Sequence, residues 1–255
     1  MIRLVRAELL KITTARLGVA MFVLGMVLGL VGTGFSLAFA GRDIEGQVVI
    51  DAIDTVADTR ELVYGAVQIA LFALLLGATS TTTEHRYGTI GATFLLTPVR
   101  SRVVVAKVVA AAVVGLGFGL AGALASLSLA WVWFAAQGDA LPLDAGVWAA
   151  IPRVGVAAMI SAALGAAVGA SLTSQVWAVV AVIAWRIVLE PLVGALLPDV
   201  RPFLPFSGLE AAIAPAQPTL DALGAWTAVG LAALSVTAAT ALGVALTERR
   251  DVEGR

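Results

Sequence analysis

The sequence predicts an all-α integral membrane protein with six transmembrane helices, an N-terminal interfacial helix and short re-entrant helices before the last span. Three observations predict it. Leu17–Gly41, Leu62–Thr83, Val108–Gly138, Val154–Trp185 and Ala222–Thr247 contain no Asp, Glu, Lys or Arg. Each reaches the roughly 20 apolar residues that cross a hydrocarbon core. Apolar residues make up 60% of the chain and charged residues 13%, against globular averages of about 45–50% and 25%. The charges that do occur gather in the connectors between these stretches. Spans and connectors account for nearly all of residues 1–255, read here as a single transmembrane domain with no expected place for a soluble nucleotide-hydrolysing domain.

Residues 1–16 place Ile2, Val5, Leu9 and Ile12 at helical spacing, with Arg3, Arg6, Lys11 and Arg16 mostly elsewhere around the wheel. That pattern suits a helix lying in the inner interface. The apolar stretch that follows ends near Ala38-Phe39-Ala40, a small-x-small sequence. It exceeds the roughly 7–15 residues of a signal-peptide core, so 17–40 is read as a retained first span. The second span is expected near 62–83 and the third near 108–136. Val154–Trp185 is too long for one ordinary span. The polar cluster Thr173-Ser174-Gln175 divides it into a fourth span near 153–173 and a fifth near 177–197. The sixth is expected near 224–247.

Two connectors are more than turns. In the loop 84–107, Gly88 offers a helix stop, and Thr89 a cap for a short helix through Phe94–Leu96. Thr97-Pro98 breaks that helix, because the residue before proline disfavours the helical region. A short helix hung between two spans makes a stiff handle. The stretch Pro191–Pro218 holds six of the nine prolines, interleaved with Phe203, Leu204, Phe206, Leu209 and Ile213. Prolines deny a full span while the apolar residues argue against a free loop, so short helices dipping into the outer leaflet are expected over 198–222.

Six spans put both termini on one side. That side carries eleven basic residues and the other, with the fifth span included, carries Arg42, Arg60, Arg153, Arg186 and Arg201. The positive-inside rule makes the termini cytoplasmic in a multi-pass plasma-membrane protein. The acidic loop Arg42–Glu61 then faces out. Trp131, Trp133, Trp148 and Trp226 fall near the outer interface and Trp177 near the inner one.

The chemistry the chain can hold is narrow. With no Cys and one His, thiolate sites and His clusters are excluded. No Gly-x-x-x-x-Gly-Lys-Ser/Thr phosphate loop occurs, so hydrolysis of ATP would belong to another polypeptide. Net charge is −1, which gives no pull toward nucleic acid. Gly115, Gly117 and Gly119 lie inside a span with no preceding strand and are not a dinucleotide fingerprint. Gly25/Gly29, Gly115/Gly119 and Gly165/Gly169 instead make small-xxx-small faces for close helix packing.

Two groups of residues are candidate sites. Glu84, His85 and Arg86 lie where the second span leaves the membrane, either as a docking point or as a solvated helix end. Arg186 and Glu190 are four apart on one helix and can pair. Charges at that depth usually face partners or a cavity, so the pair either lines or gates a path, or locks the fifth span to a neighbour.

At these residues the chain resembles the membrane (permease) subunits of ATP-binding-cassette exporters of the type-2 class. That family's pattern runs Glu-Tyr-Arg-His-Gly-Thr-Ile, a short apolar helix, Thr-Pro, Arg and Ala-Lys. Here it reads Glu84-His85-Arg86-Tyr87-Gly88-Thr89-Ile90, then Thr97-Pro98, Arg100 and Ala106-Lys107. Glu190-Pro191, Leu204-Pro205-Phe206 and Arg250-Asp251-Val252 resemble the family's later pattern. His85 and Tyr87 stand in swapped places, and Thr173 stands where many relatives have a basic residue.

The resemblance implies a permease that pairs with a second copy, identical or paralogous, and with two cytoplasmic ATPase subunits that hold ATP and Mg. No cofactor is expected on this chain. It implies that Glu84, His85, Arg86, Tyr87, Gly88 and Thr89 belong to the ATPase-coupling handle around 84–98. The 198–222 region would form re-entrant helices near the exit. The expected function is therefore a non-enzymatic exporter subunit in the lipid bilayer. The alternatives are an ion-coupled secondary transporter using Glu190, an intramembrane enzyme, and a non-transporting assembly or immunity protein.

Overall fold

A computed structural model describes residues 1–44, 47–48, 52–213 and 225–249. Eleven α-helices account for most of them: α1 (Ile2–Thr14), α2 (Arg16–Phe39), α3 (Val56–Gly65), α4 (Ile69–Arg86), α5 (Ile90–Leu96), α6 (Arg100–Gln137), α7 (Ala145–Ser171), α8 (Gln175–Ile183), α9 (Glu190–Leu196), α10 (Pro205–Ile213) and α11 (Ala225–Arg249). Two two-residue strands, β1 (Asp43–Ile44) and β2 (Gln47–Val48), pair antiparallel. Six segments are long and apolar enough to cross a membrane: Arg16–Phe39, Val56–Arg86, Arg100–Gln137, Ala145–Ser171, Gln175–Leu196 and Thr227–Arg249. The chain is an all-α, multi-pass membrane protein.

The spans begin and end differently from the sequence reading where backbone hydrogen bonding outweighs hydropathy. The second span starts earlier, because Thr55 and Asp58 form a capping box. The Asp58 N–H donates to Thr55 Oγ1 at 3.3 Å and the Thr55 N–H to Asp58 Oδ2 at 2.7 Å, satisfying donors that a helix start leaves open. A 3-10 turn, Ala66–Gln68, interrupts this span. The third span starts at Arg100 rather than near 108. Its 38 residues extend roughly 57 Å at 1.5 Å per residue, beyond the bilayer itself, so Arg100, Arg102 and Lys107 are helical rather than part of the loop. The fourth span starts at Ala145, capped by Asp144, which accepts from the Val147 N–H at 2.8 Å. The predicted turn is present: helix stops at Ser171 and resumes at Gln175.

The region after α9 contains a 3-10 helix, Pro198–Phe203, and α10. Residues 214–224, including Pro215 and Pro218, lie outside the described residues, as do Arg250-Asp251-Val252 and residues 45–46 and 49–51 of the acidic loop. The side chain of Trp226 is likewise outside the description. Trp131, Trp148 and Trp177 are well exposed.

α7 is the most buried span, flanked by α4 and α6, whereas α2, α8–α9 and α11 face largely outward. The close approach of α7 to its neighbours rests on glycine. A Cβ on Gly77 would meet Ala162 O at 2.0 Å, one on Gly165 would meet Leu74 O at 2.0 Å, and one on Gly115 would meet Ala158 O at 2.5 Å. Lipid tails are as apolar as leucine, so helices in a bilayer gain by such backbone-to-backbone packing. Gly119 and Gly169 do the same, as the spacing predicts. Gly25 packs on Phe72, but Gly29 meets nothing within 4 Å: the outward-facing α2 uses one of its two small positions.

Candidate functional site

The loop after α4 begins with a tight reversal. Gly88 takes φ +68°, a left-handed backbone that L side chains disfavour. The Thr89 N–H donates to Glu84 O at 3.0 Å and the Gly88 N–H to His85 O at 3.3 Å. These two bonds make a Schellman C-cap, which turns the chain directly into α5. Thr89 occupies the N-cap position of α5 without a side-chain cap. Arg100 holds the far side of the handle. Its guanidinium lies 5.2 Å from the Phe94 ring centroid and donates to Thr247 O of α11 at 3.0 Å.

Within the handle, Arg86, Tyr87, Gly88 and Thr89 are exposed and His85 is half-buried. Tyr87, Leu95 and Leu96 are 68%, 85% and 87% exposed. Glu84 is different: it is 7% exposed and turned inward. Its Oε1 accepts from Lys11 Nζ at 2.7 Å and lies 2.8 Å from Lys107 Nζ, while its Oε2 accepts from Thr93 Oγ1 at 3.3 Å. Lys107 Nζ also reaches Glu8 Oε2 at 2.7 Å, and Lys11 Nζ reaches Glu8 Oε1 at 2.6 Å.

Two carboxylates and two ammonium groups therefore alternate in one closed cluster, and it joins α1, α4 and α6, with Thr93 of α5 attached. Glu8 and Lys107 are 2% and 3% exposed. Such burial is tolerated only when charges are paired and hydrogen-bonded. Burial alone would lower the Lys11 pKa, but its bonds to Glu8 and Glu84 hold it above the ordinary lysine value.

Glu8, Lys11 and Lys107 are absent from the sequence-derived site. A signal for them exists: Glu8 falls on the α1 face with Val5, Leu9 and Ile12, and Lys107 falls inside an otherwise apolar helix. Ile12 packs with Ile69 and Leu76 of α4. Ile2, assigned to that face from spacing, is 86% exposed.

The Arg186–Glu190 pair does not form. Arg186 pairs with Glu210 of α10 and stacks over the Phe206 ring at 5.4 Å. Ala184–Leu189 is a π-helix, which places residue i over i+5 rather than i+4. Accordingly Trp185 Nε1, not Arg186, donates to Glu190 Oε2, at 2.9 Å. The wide turn precedes Pro191, which has no N–H and crowds the carbonyl four residues back. Glu190 is fully buried. Its Oε1 accepts the Phe206 and Ser207 N–H groups at 2.7 and 2.5 Å, capping the first turn of α10. Two of its three hydrogen bonds tie the fifth span to α10, and the third, from Trp185, stays within the span. Glu190→Ala is expected to lower stability by about 1–3 kcal/mol, the cost of stranding buried donors, and Glu190→Gln to recover part of it. Thermal unfolding in detergent measures both, and an unchanged midpoint in Glu190→Ala removes the cap.

At the opposite end, Arg60 pairs with Asp144 at 2.5 Å, joining α3 to the start of α7. The Val147 N–H and the Arg60 guanidinium hold the Asp144 carboxyl below its usual range. Among the described residues no group of three or more His, Cys, Asp or Glu is placed to hold a metal ion. Compared with protein-family models, curated proteins and solved structures, the chain matches none of them.

Proposed function

We propose that this chain is the permease subunit of an ATP-driven exporter of the type-2 class, worked through α5 by a separate ATPase. The observation that carries the reading is the handle. A seven-residue helix is hung by a Schellman turn from one span and by Arg100 from the next. It exposes Leu95 and Leu96, and the turn before it exposes Tyr87. Exposed apolar side chains on a short, rigid element suit insertion into a groove of another protein. The excess of basic residues at this end makes it cytoplasmic by the positive-inside rule, with both termini on that side.

In this reading ATP and Mg reside on the partner, and movement of α5 tilts α4 and α6 together. A second permease copy, identical or paralogous, completes the path in the plasma membrane. The 3-10 helix and α10 form the re-entrant element in the outer leaflet. Backbone at that depth has no water to bond, and Glu190 supplies acceptors to two of its N–H groups. This full engagement of Glu190 weighs against an ion-coupled carrier that loads a proton or cation there.

The test uses surface residues rather than Glu84, whose loss would disturb the fold. Leu95→Ser with Leu96→Ser is expected to leave the unfolding midpoint of the purified chain unchanged and to abolish co-purification of the ATPase from native membranes. Vesicles containing the chain alone should transport nothing. Nucleotide-independent flux from that preparation defeats the proposal.

A further inference from the structure

Beside the charge cluster lies a cavity of about 750 Å³, bounded by the end of α1, the start of α2, the end of α4, α5 and Gln175. Its volume falls within the roughly 300–1,000 Å³ usual for ligand sites. Most of its wall is apolar, contributed by side chains such as Ile12, Leu17 and Leu76. The polar part of the wall is positively charged overall. Glu8 and Glu84 are matched by Lys11 and Lys107 in the cluster. Arg16 and Arg86 then remain, and neither has a carboxylate within ion-pair distance among the described residues. Arg86 donates to the neutral Gln175 Oε1 at 3.1 Å. Thr79, Ser80 and Thr83 also face the cavity, but their hydroxyls donate to carbonyls of their own helix at 2.6–2.8 Å. They add acceptors, not competing cations.

From this arrangement we infer that the cavity is a binding site for one anionic phospholipid, with its phosphate on Arg16 and Arg86 and its acyl chains along α2. Leu17 opens an exposed stripe on α2 that continues through Leu24, Leu28, Val31 and Phe35. The spacing of seven, four, three and four residues keeps this stripe on one helix face. A cationic patch at the foot of an apolar runway matches an amphiphile with an anionic head. It does not match a free anion, which has no use for the runway. Basic pockets between spans at the cytoplasmic interface bind anionic headgroups on the same physical grounds. The site needs only a membrane protein and does not rest on the exporter reading. The lipid would brace α1 and α5 against α4 beside the buried cluster.

The test is native mass spectrometry of the full chain in detergent, titrated with dioleoyl phosphatidylglycerol or dioleoyl phosphatidylcholine. One phosphatidylglycerol per chain is expected to be retained about tenfold more tightly than phosphatidylcholine, given two basic contacts near the headgroup. Arg16→Gln with Arg86→Gln should remove that preference. Both side chains are exposed, so the lipid-free unfolding midpoint should not move. Arg3→Gln with Arg6→Gln, on the first half of α1 and outside the cavity wall, should keep the preference. Three outcomes overturn the inference. These are equal retention of the two lipids, equal loss in the Arg3/Arg6 control, and full displacement of the lipid by inorganic phosphate.

Discussion

Lys107→Met is expected to destabilise the folded chain by about 3–5 kcal/mol, the cost of removing one partner from a buried ion cluster. Lys107 is almost fully buried and lies 2.7 Å from Glu8 and 2.8 Å from Glu84. Without it, two buried carboxylates face each other with only Lys11 between them, and the Lys11 side chain is half exposed. Its attraction is screened by water in a way that Lys107's is not. The weakest tie then gives way: α1 is held to α6 through Glu8 and to the core through Ile12. Adding Glu8→Gln to Lys107→Met removes one charge of each sign and leaves the Lys11–Glu84 pair. That double variant should regain much of the loss. Unfolding midpoints of wild type, single and double variants in one detergent give the comparison. A single variant as stable as wild type, or a double variant less stable than the single, contradicts the cluster as drawn.

The second large effect belongs to Gly165. A leucine there drives its Cβ toward Leu74 O at 2.0 Å, Leu74 C at 2.9 Å and Ala78 N at 3.0 Å. These are backbone atoms of α4, so no rotamer change relieves the clash and the helices must separate. Overpacking usually costs about 1–3 kcal/mol; against backbone, at the most buried seam of the protein, the upper end or more is expected. Even Gly165→Ala should lower the unfolding midpoint, because Cβ itself is the clashing atom. Gly117→Ala is the control. It sits on α6 with nothing within 4 Å of an added Cβ, and alanine is the better helix former. It should be neutral or slightly stabilising. If Gly165→Ala and Gly117→Ala unfold alike, the α4–α7 seam is not packed as described.

Several features of the fold were legible in the residues alone. The six spans, the turn at 173–175, the short helix after Gly88 and the small-residue faces of α6 and α7 follow from local rules. The boundaries were less legible. Val56 and Arg100 begin their helices among polar residues, because capping bonds and the helical ladder hold charged ends that a hydropathy reading discards.

The candidate site divided in the same way. Arg86, Tyr87, Gly88 and Thr89 are at the surface where the loop pattern put them. Glu84, their neighbour in the motif, faces the interior and braces the handle from behind. The expected Arg186–Glu190 contact failed because a π turn changed which residues stack. Each then found a partner on α10, Arg186 in Glu210 and Glu190 in two backbone amides.

Membrane residence and the number of crossings are properties of contiguous stretches: the transfer of each segment into hydrocarbon depends on its own residues, and composition alone decides it. Which charge meets which is not local. Glu8, Glu84 and Lys107 are separated by 76 and 23 positions in the chain, and no spacing rule links them. Only the packing of α1, α4 and α6 brings them within hydrogen-bond reach, where a low dielectric makes each pairing too costly to leave unmade.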